Sequence, residues 1–144
     1  MTTEARHSIC TAAVPASLDL VHTLLEAVWA SCPDVQADDR MRFELGVIEI
    51  TGNIVEHAAA PAPIDFHLCV EVFDDRLEAR FRDPGRRVEV DFDTTAMPHV
   101  TAVPDALPES GRGLALVLAV VDQLTYRHDG SENHWLSMRR RAPA

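Results

Sequence analysis

In and around ELGVIEITGNIVEHA, residues 44–58, Glu49, Asn53, Glu56 and His57 place carboxylate, amide and imidazole groups at helical spacing. At about 100° per residue, Glu49 and Asn53 lie one turn apart, and Glu56 and His57 continue the line on either side of it. Most remaining positions are apolar: Phe43, Val47, Ile50 and Ile54 share one neighbouring face, and Leu45, Ile48, Gly52 and Val55 the opposite flank. A surface helix usually shows a limited apolar stripe and a broad polar side. This segment has the reverse proportion, so it is expected to be buried on both flanks. Carboxylates in such a setting are costly unless paired, hydrogen-bonded or set against a metal, which points to a cleft with polar contents. The alternative is a solvated strip on a heavily packed helix.

Two further stretches carry groups suited to a ligand. In FRDPGRR, Asp83 follows a strand whose inward residues end at Phe81, and Pro84 and Gly85 turn the chain after it. A carboxylate held at a strand end can accept a hydrogen bond from an exocyclic amine, and a glycine lets a ligand approach the backbone. A plain turn is the alternative, because Asp, Pro and Gly are common turn residues. In SGRGLALVL, Gly111 and Gly113 flank Arg112 at the start of an apolar helix. Unpaired first-turn amides and the helix dipole favour an anion there, and Arg112 can add a bidentate contact; the alternative is a flexible loop meeting a helix.

Composition removes several chemistries. All 13 basic residues are arginine, which excludes a P-loop, Schiff-base chemistry and a lysine base. A phosphate must then be held by backbone amides, arginine or a metal. The seven histidines form no HExxH or HxxxH pair, so no zinc motif is present. Cys10, Cys32 and Cys69 are widely spaced and odd in number, which encodes neither a disulfide framework nor a zinc site. A net charge of −10 opposes attraction to nucleic acid or anionic lipid. No apolar run approaches membrane-spanning length and no leader pattern opens the chain, so the cytoplasm is the expected location.

The elements that must position these groups follow from periodicity. Residues 6–14 read as a strand, and Pro15 and Ser17 open a helix over Leu18, Val21, Leu24, Leu25 and Val28. Asp38 or Asp39 is the expected N-cap of the second helix, which the AAAPAP run ends. Alternation over residues 64–81 predicts a strand hairpin, and VEVDF a short extended piece. Residues 94–110 hold three prolines and no clear period, and read as a lid. GRGLALVLAVVDQL predicts a buried helix, TYRHDGSENHWLSMR a closing hairpin, and RRRAPA a disordered tail. With 144 residues, one domain over 1–144 is expected: an α/β sandwich with helices on one face of a mixed, mainly antiparallel sheet.

Taken in order, the three motifs resemble the N, G1 and G2 boxes of the ATP-binding (Bergerat) fold shared by histidine kinases, gyrase and Hsp90. Within it, the chain is most similar to the small anti-sigma-factor serine/threonine kinases of bacterial partner-switching systems, and the likeness covers nearly its whole length. The resemblance implies Mg²⁺ and ATP as cofactors. It implies Glu49 as the general base acting on the substrate hydroxyl, Asn53 as the Mg²⁺ ligand and Asp83 with Gly85 at adenine. Gly111, Arg112 and Gly113 would lie at the phosphates. His57 matches the family pattern four residues after Asn53, either as a ligand contact or as a hydrogen bond orienting the helix. The implied partners are an anti-sigma-factor antagonist of the STAS type and a sigma factor, with a homodimer as a further expectation. One departure stands out: the G1 box commonly reads DxGxG, and here Arg87 replaces the second glycine. Arg87 would either block the adenosine pocket or supply a phosphate contact. The former case implies a non-catalytic binding regulator on the same fold.

Overall fold

Period-two and 3.6-residue patterns sort the chain into five strands and three helices in the computed structural model, which describes residues 2–58, 62–88 and 109–143. In order these are β1 (Thr3–Ala12), α1 (Ser17–Ser31), α2 (Ala37–Asn53) continued by a π-helical turn (Ile54–Ala58), β2 (Asp65–Phe73) and β3 (Arg76–Asp83). Then come α3 (Glu109–Val120), β4 (Gln123–His128) and β5 (Asn133–Arg140). The strands form one sheet in the order β1-β2-β3-β5-β4. Where a mixed sheet is expected from the sequence, every pairing among the described residues is antiparallel. The two tight hairpins, β2–β3 and β4–β5, impose that direction, and β3 meets β5 in the same sense.

Alternation gives the sheet one face for the core. Phe66, Leu68, Val70 and Val72 of β2, Leu77, Ala79 and Phe81 of β3, and Trp135 of β5 are all buried there. Val21, Leu24, Leu25 and Val28 of α1 and Phe43, Val47, Ile50 and Ile54 of α2 and its continuation close over them. These recur at the spacing of one helical face. The second flank of α2 is half-buried rather than buried: Leu45, Ile48, Gly52 and Val55 keep part of their surface. Only one sheet lies beneath the helices, so a single face of α2 can be fully enclosed. Gly46 packs closely against its neighbours. A methyl group there would lie 3.2 Å from Val121 Cγ1 and 3.5 Å from Ser137 Oγ.

Boundaries differ from the sequence reading in physically instructive ways. α2 starts before either expected cap; Gln36 is its N-cap and makes no side-chain capping bond. Asp38 and Asp39 instead occupy the first turn, where the helix dipole favours them. Buried Asp39 pairs with Arg139 at 3.0 Å and accepts the Ala142 amide at 2.8 Å. Arg139 also donates to the Val120 carbonyl at 2.8 Å, satisfying an end group of α3. Arg141, 8 % exposed, reaches Glu4 at 2.6 Å and the Phe73 carbonyl at 3.0 Å. The arginine part of the tail expected to be loose is therefore bound into the fold. α3 opens at Glu109, two residues earlier than the pattern suggests, and stops at Val120, leaving Gln123 to begin a strand. Apart from Glu109 and Ser110, the segment read as a lid lies outside the described residues, as does most of VEVDF.

Candidate functional site

α2 runs antiparallel to β5. Asp39, near its start, pairs with Arg139 near the end of β5, and Gly46 packs beside Ser137. From Gly46 to Asn53 the helix advances about 10 Å, and from Ser137 back to Asn133 the strand covers about 14 Å. The polar end of α2 is thereby carried to the end of the sheet where Asp83 and Asn133 are paired.

Glu49 lies against α3. A methyl group on Gly113 would stand 2.7 Å from Glu49 Oε2, so the carboxylate in its present position occupies space that any side chain at residue 113 would contest. Glu49 has no hydrogen bond or ion pair among the described residues. One turn on, Asn53 is 7 % exposed and its amide is likewise uncommitted among them. The helix then widens into the π-helical turn, a departure often found where a helix serves a site. Beyond Asn53 the stripe loosens: Glu56 is exposed, and half-buried His57 sits 3.7 Å from its carboxylate, with its Nε2 lacking a hydrogen bond. The structure brings Glu49 and Gly113 together and keeps Asn53 beside them on α2. Gly111 and Arg112 fall in the opening turn of α3, and the Arg112 side chain lies outside the described residues.

Asp83 is fully buried at the end of β3. Its Oδ1 accepts the Gly85 amide at 2.8 Å and Asn133 Nδ2 at 3.0 Å, while its Oδ2, equally buried, has no hydrogen-bond partner among the described residues. An unpaired buried carboxylate oxygen is expensive. Gly85 is buried and Arg87 exposed. The large side chain at the altered position is thus not packed into the interior beside Asp83.

Sequence reasoning missed Asn133. It is fully buried, and its two amide protons are shared among Asp83 Oδ1, the Gly85 carbonyl at 3.2 Å and the Arg86 carbonyl at 2.9 Å. Its Oδ1 accepts from the Tyr126 hydroxyl, which itself accepts the Val88 amide at 2.8 Å. This clamp fixes the turn after Asp83. The available signal was phase: in NHWLSMR, Asn133 shares the inward face with Trp135 and Ser137.

Comparison with known proteins agrees with this geometry. Residues 11–140 match the histidine kinase-like ATPase domain family. The serine-protein kinase RsbW of Bacillus cereus is 30% identical over 96 residues, covering 64% of this chain and 59% of that protein. The RsbW of Bacillus mycoides matches to the same extent. The chain thus aligns with somewhat over half the length of these relatives. Among solved structures, the RsbU and RsbW domains of a Mycobacterium tuberculosis protein superpose with a TM-score of 0.64 at 18% identity, covering 97% of this chain and 34% of that one. That likeness speaks to the fold alone. The chain belongs to the histidine kinase-like ATPase domain family, and the relatives it resembles there are the RsbW serine-protein kinases.

Proposed function

We propose that the protein is an ATP-dependent serine/threonine kinase of the anti-sigma-factor type, which phosphorylates a STAS-type antagonist and alternatively sequesters a sigma factor. The observation that carries this reading is the Glu49 carboxylate lodged against Gly113, one turn from the Asn53 amide, both without a hydrogen-bond partner among the described residues.

The residues fit Mg-ATP. Asp83 Oδ2 suits the exocyclic amine of adenine, Asn53 the metal, and the backbone of Gly111 and Gly113 with Arg112 the phosphates. Bound Mg-ATP supplies a transferable phosphoryl group, and such transfer asks mainly for positioning and charge neutralisation. Mg²⁺ commonly takes only one or two protein ligands besides phosphate oxygens, so a lone asparagine suffices. Glu49 then accepts the proton of the attacking hydroxyl, held in place by the close approach of α3. Arg87 supports a second reading, a regulator that binds without transferring.

Calorimetry of Mg-dependent ATP binding, followed by phosphate transfer to a STAS-type antagonist, distinguishes the two. The wild type binds and transfers. Glu49→Gln binds equally but transfers about 10²- to 10⁴-fold more slowly, as expected for loss of a general base. Binding without transfer to any antagonist would establish the regulator, and absence of binding would remove both nucleotide-based readings.

A further inference from the structure

Strand register lays out the sheet face turned away from the helices in rows. One row crosses all five strands as Cys10, His67, Arg82, His134 and Arg127. In the next, Arg80 stands beside Cys69 and Leu136. Apart from Cys10, these rows and Arg6 line a groove of about 740 Å³ whose lining holds four arginines, two histidines and no carboxylate. The chain has 23 acidic residues against 13 arginines, so such a lining runs counter to its overall charge. Arg80 and Arg82 keep 58% and 50% of their side-chain surface, although Arg80 contacts Glu78 at 2.9 Å and Arg82 faces Glu132 at 3.6 Å. Exposed Arg127 has no ion pair among the described residues.

We propose that this groove docks an acidic, extended segment of a partner protein. The proposal does not depend on the kinase reading, because the candidate nucleotide site lies on the helix-covered side. Arg80 and Arg82 are two residues apart on β3, about 6.8 Å along the strand, which is also the repeat of side chains on one face of an extended peptide. Alternate carboxylates can meet them in turn, with bidentate geometry available at each guanidinium. Half-buried Leu136 between the charged positions offers contact to an apolar side chain. A second copy fits poorly, since two such faces would set guanidinium against guanidinium. Nucleic acid fits poorly as well. The net charge of −10 repels a polyanion, and Phe81 and Trp135, each 2 % exposed, turn their rings to the core instead of offering a stacking surface.

The test is fluorescence anisotropy with a short labelled peptide of alternating Glu and Leu, a single-stranded oligothymidylate of equal charge as the rival probe, and sedimentation of the protein alone. The wild type is expected to bind the peptide more tightly than the oligonucleotide. Raising salt and the double variant Arg82→Gln/Arg127→Glu should each weaken peptide binding by about tenfold or more, with an unchanged thermal midpoint. If the double variant fails to fold, Arg127→Gln alone must still weaken binding, because among the described residues Arg127 holds no ion-pair partner that its loss would strand. Peptide affinity insensitive to these changes, tighter binding of the oligonucleotide, or self-association abolished by the charge changes would each overturn the proposal.

Discussion

Asp83 divides its two oxygens between different tasks. Oδ1 is spent inside the chain on Gly85 and Asn133, and Oδ2 remains a buried acceptor unsatisfied among the described residues. Asp83→Asn can keep Oδ1 and its internal bonds, but it replaces the free acceptor with an NH₂ group that faces the donor of an incoming ligand. The fold should hold, with a thermal midpoint equal to or above that of the wild type, since a buried charge is removed. ATP affinity measured by calorimetry should fall by about 1–3 kcal/mol, the cost of an unpaired buried group. An unchanged affinity would take Asp83 out of the site. Glu49, Asn53 and Asp83 were legible because their chemistry is at odds with their surroundings: polar groups on an apolar helix, a carboxylate ending an apolar strand. Asn133 was not. It follows a turn-rich DGSE run, so its polarity looks like more of the turn, and only pairing with Asp83, 50 residues away, reveals its work.

Between elements, the decisive contact is that of α3 with α2 at Gly113. Gly113→Ala would put a methyl group 2.7 Å from Glu49 Oε2, an atom at the end of a flexible side chain that can swing aside. Alanine is also the better helix former, by roughly 1 kcal/mol. The thermal midpoint is therefore expected to be unchanged or higher. Phosphate transfer should fall by about 10²-fold, because a displacement of about 1 Å in a catalytic group costs that much. A variant both stable and fully active would show that Glu49 has no fixed working position. At this scale the hairpins and the identity of α2 could be read from period alone. The two ends of α3 could not, because the apolar run of GRGLALVLAVVDQL passes the helix end at Val120 without a break, and Asp122, which donates its amide to Met138 as the chain turns into β4, fits the helical spacing as well. The β4–β5 turn is tighter than its composition suggests. Asp129 is held well below the ordinary carboxylate range by the Ser131 and Glu132 amides and by His134.

For the molecule as a whole, the C-terminal arginines join parts far apart in sequence. Arg139 links the start of α2, the end of α3 and the end of β5, and Arg141 ties β1 to the β2 terminus. A basic run at a chain end reads as a solvated tail, since its partners lie about a hundred residues upstream and have no local signature. Arg139→Ala would leave Asp39, 5 % exposed, with only the Ala142 amide. Breaking a buried pair from one side costs up to about 3–5 kcal/mol. The 18% exposure of the Arg139 side chain lets water repay part, which suggests about 2–3 kcal/mol and a thermal midpoint lower by roughly 6–12 °C. Removing both charges, as Asp39→Asn/Arg139→Ala, should cost less than Arg139→Ala alone, because no buried carboxylate is then stranded. Thermal melts of wild type, both single variants and the double variant form the cycle that checks this. If the two single effects simply add, the pair is not coupled, and α2 owes its seat on the sheet to apolar packing alone.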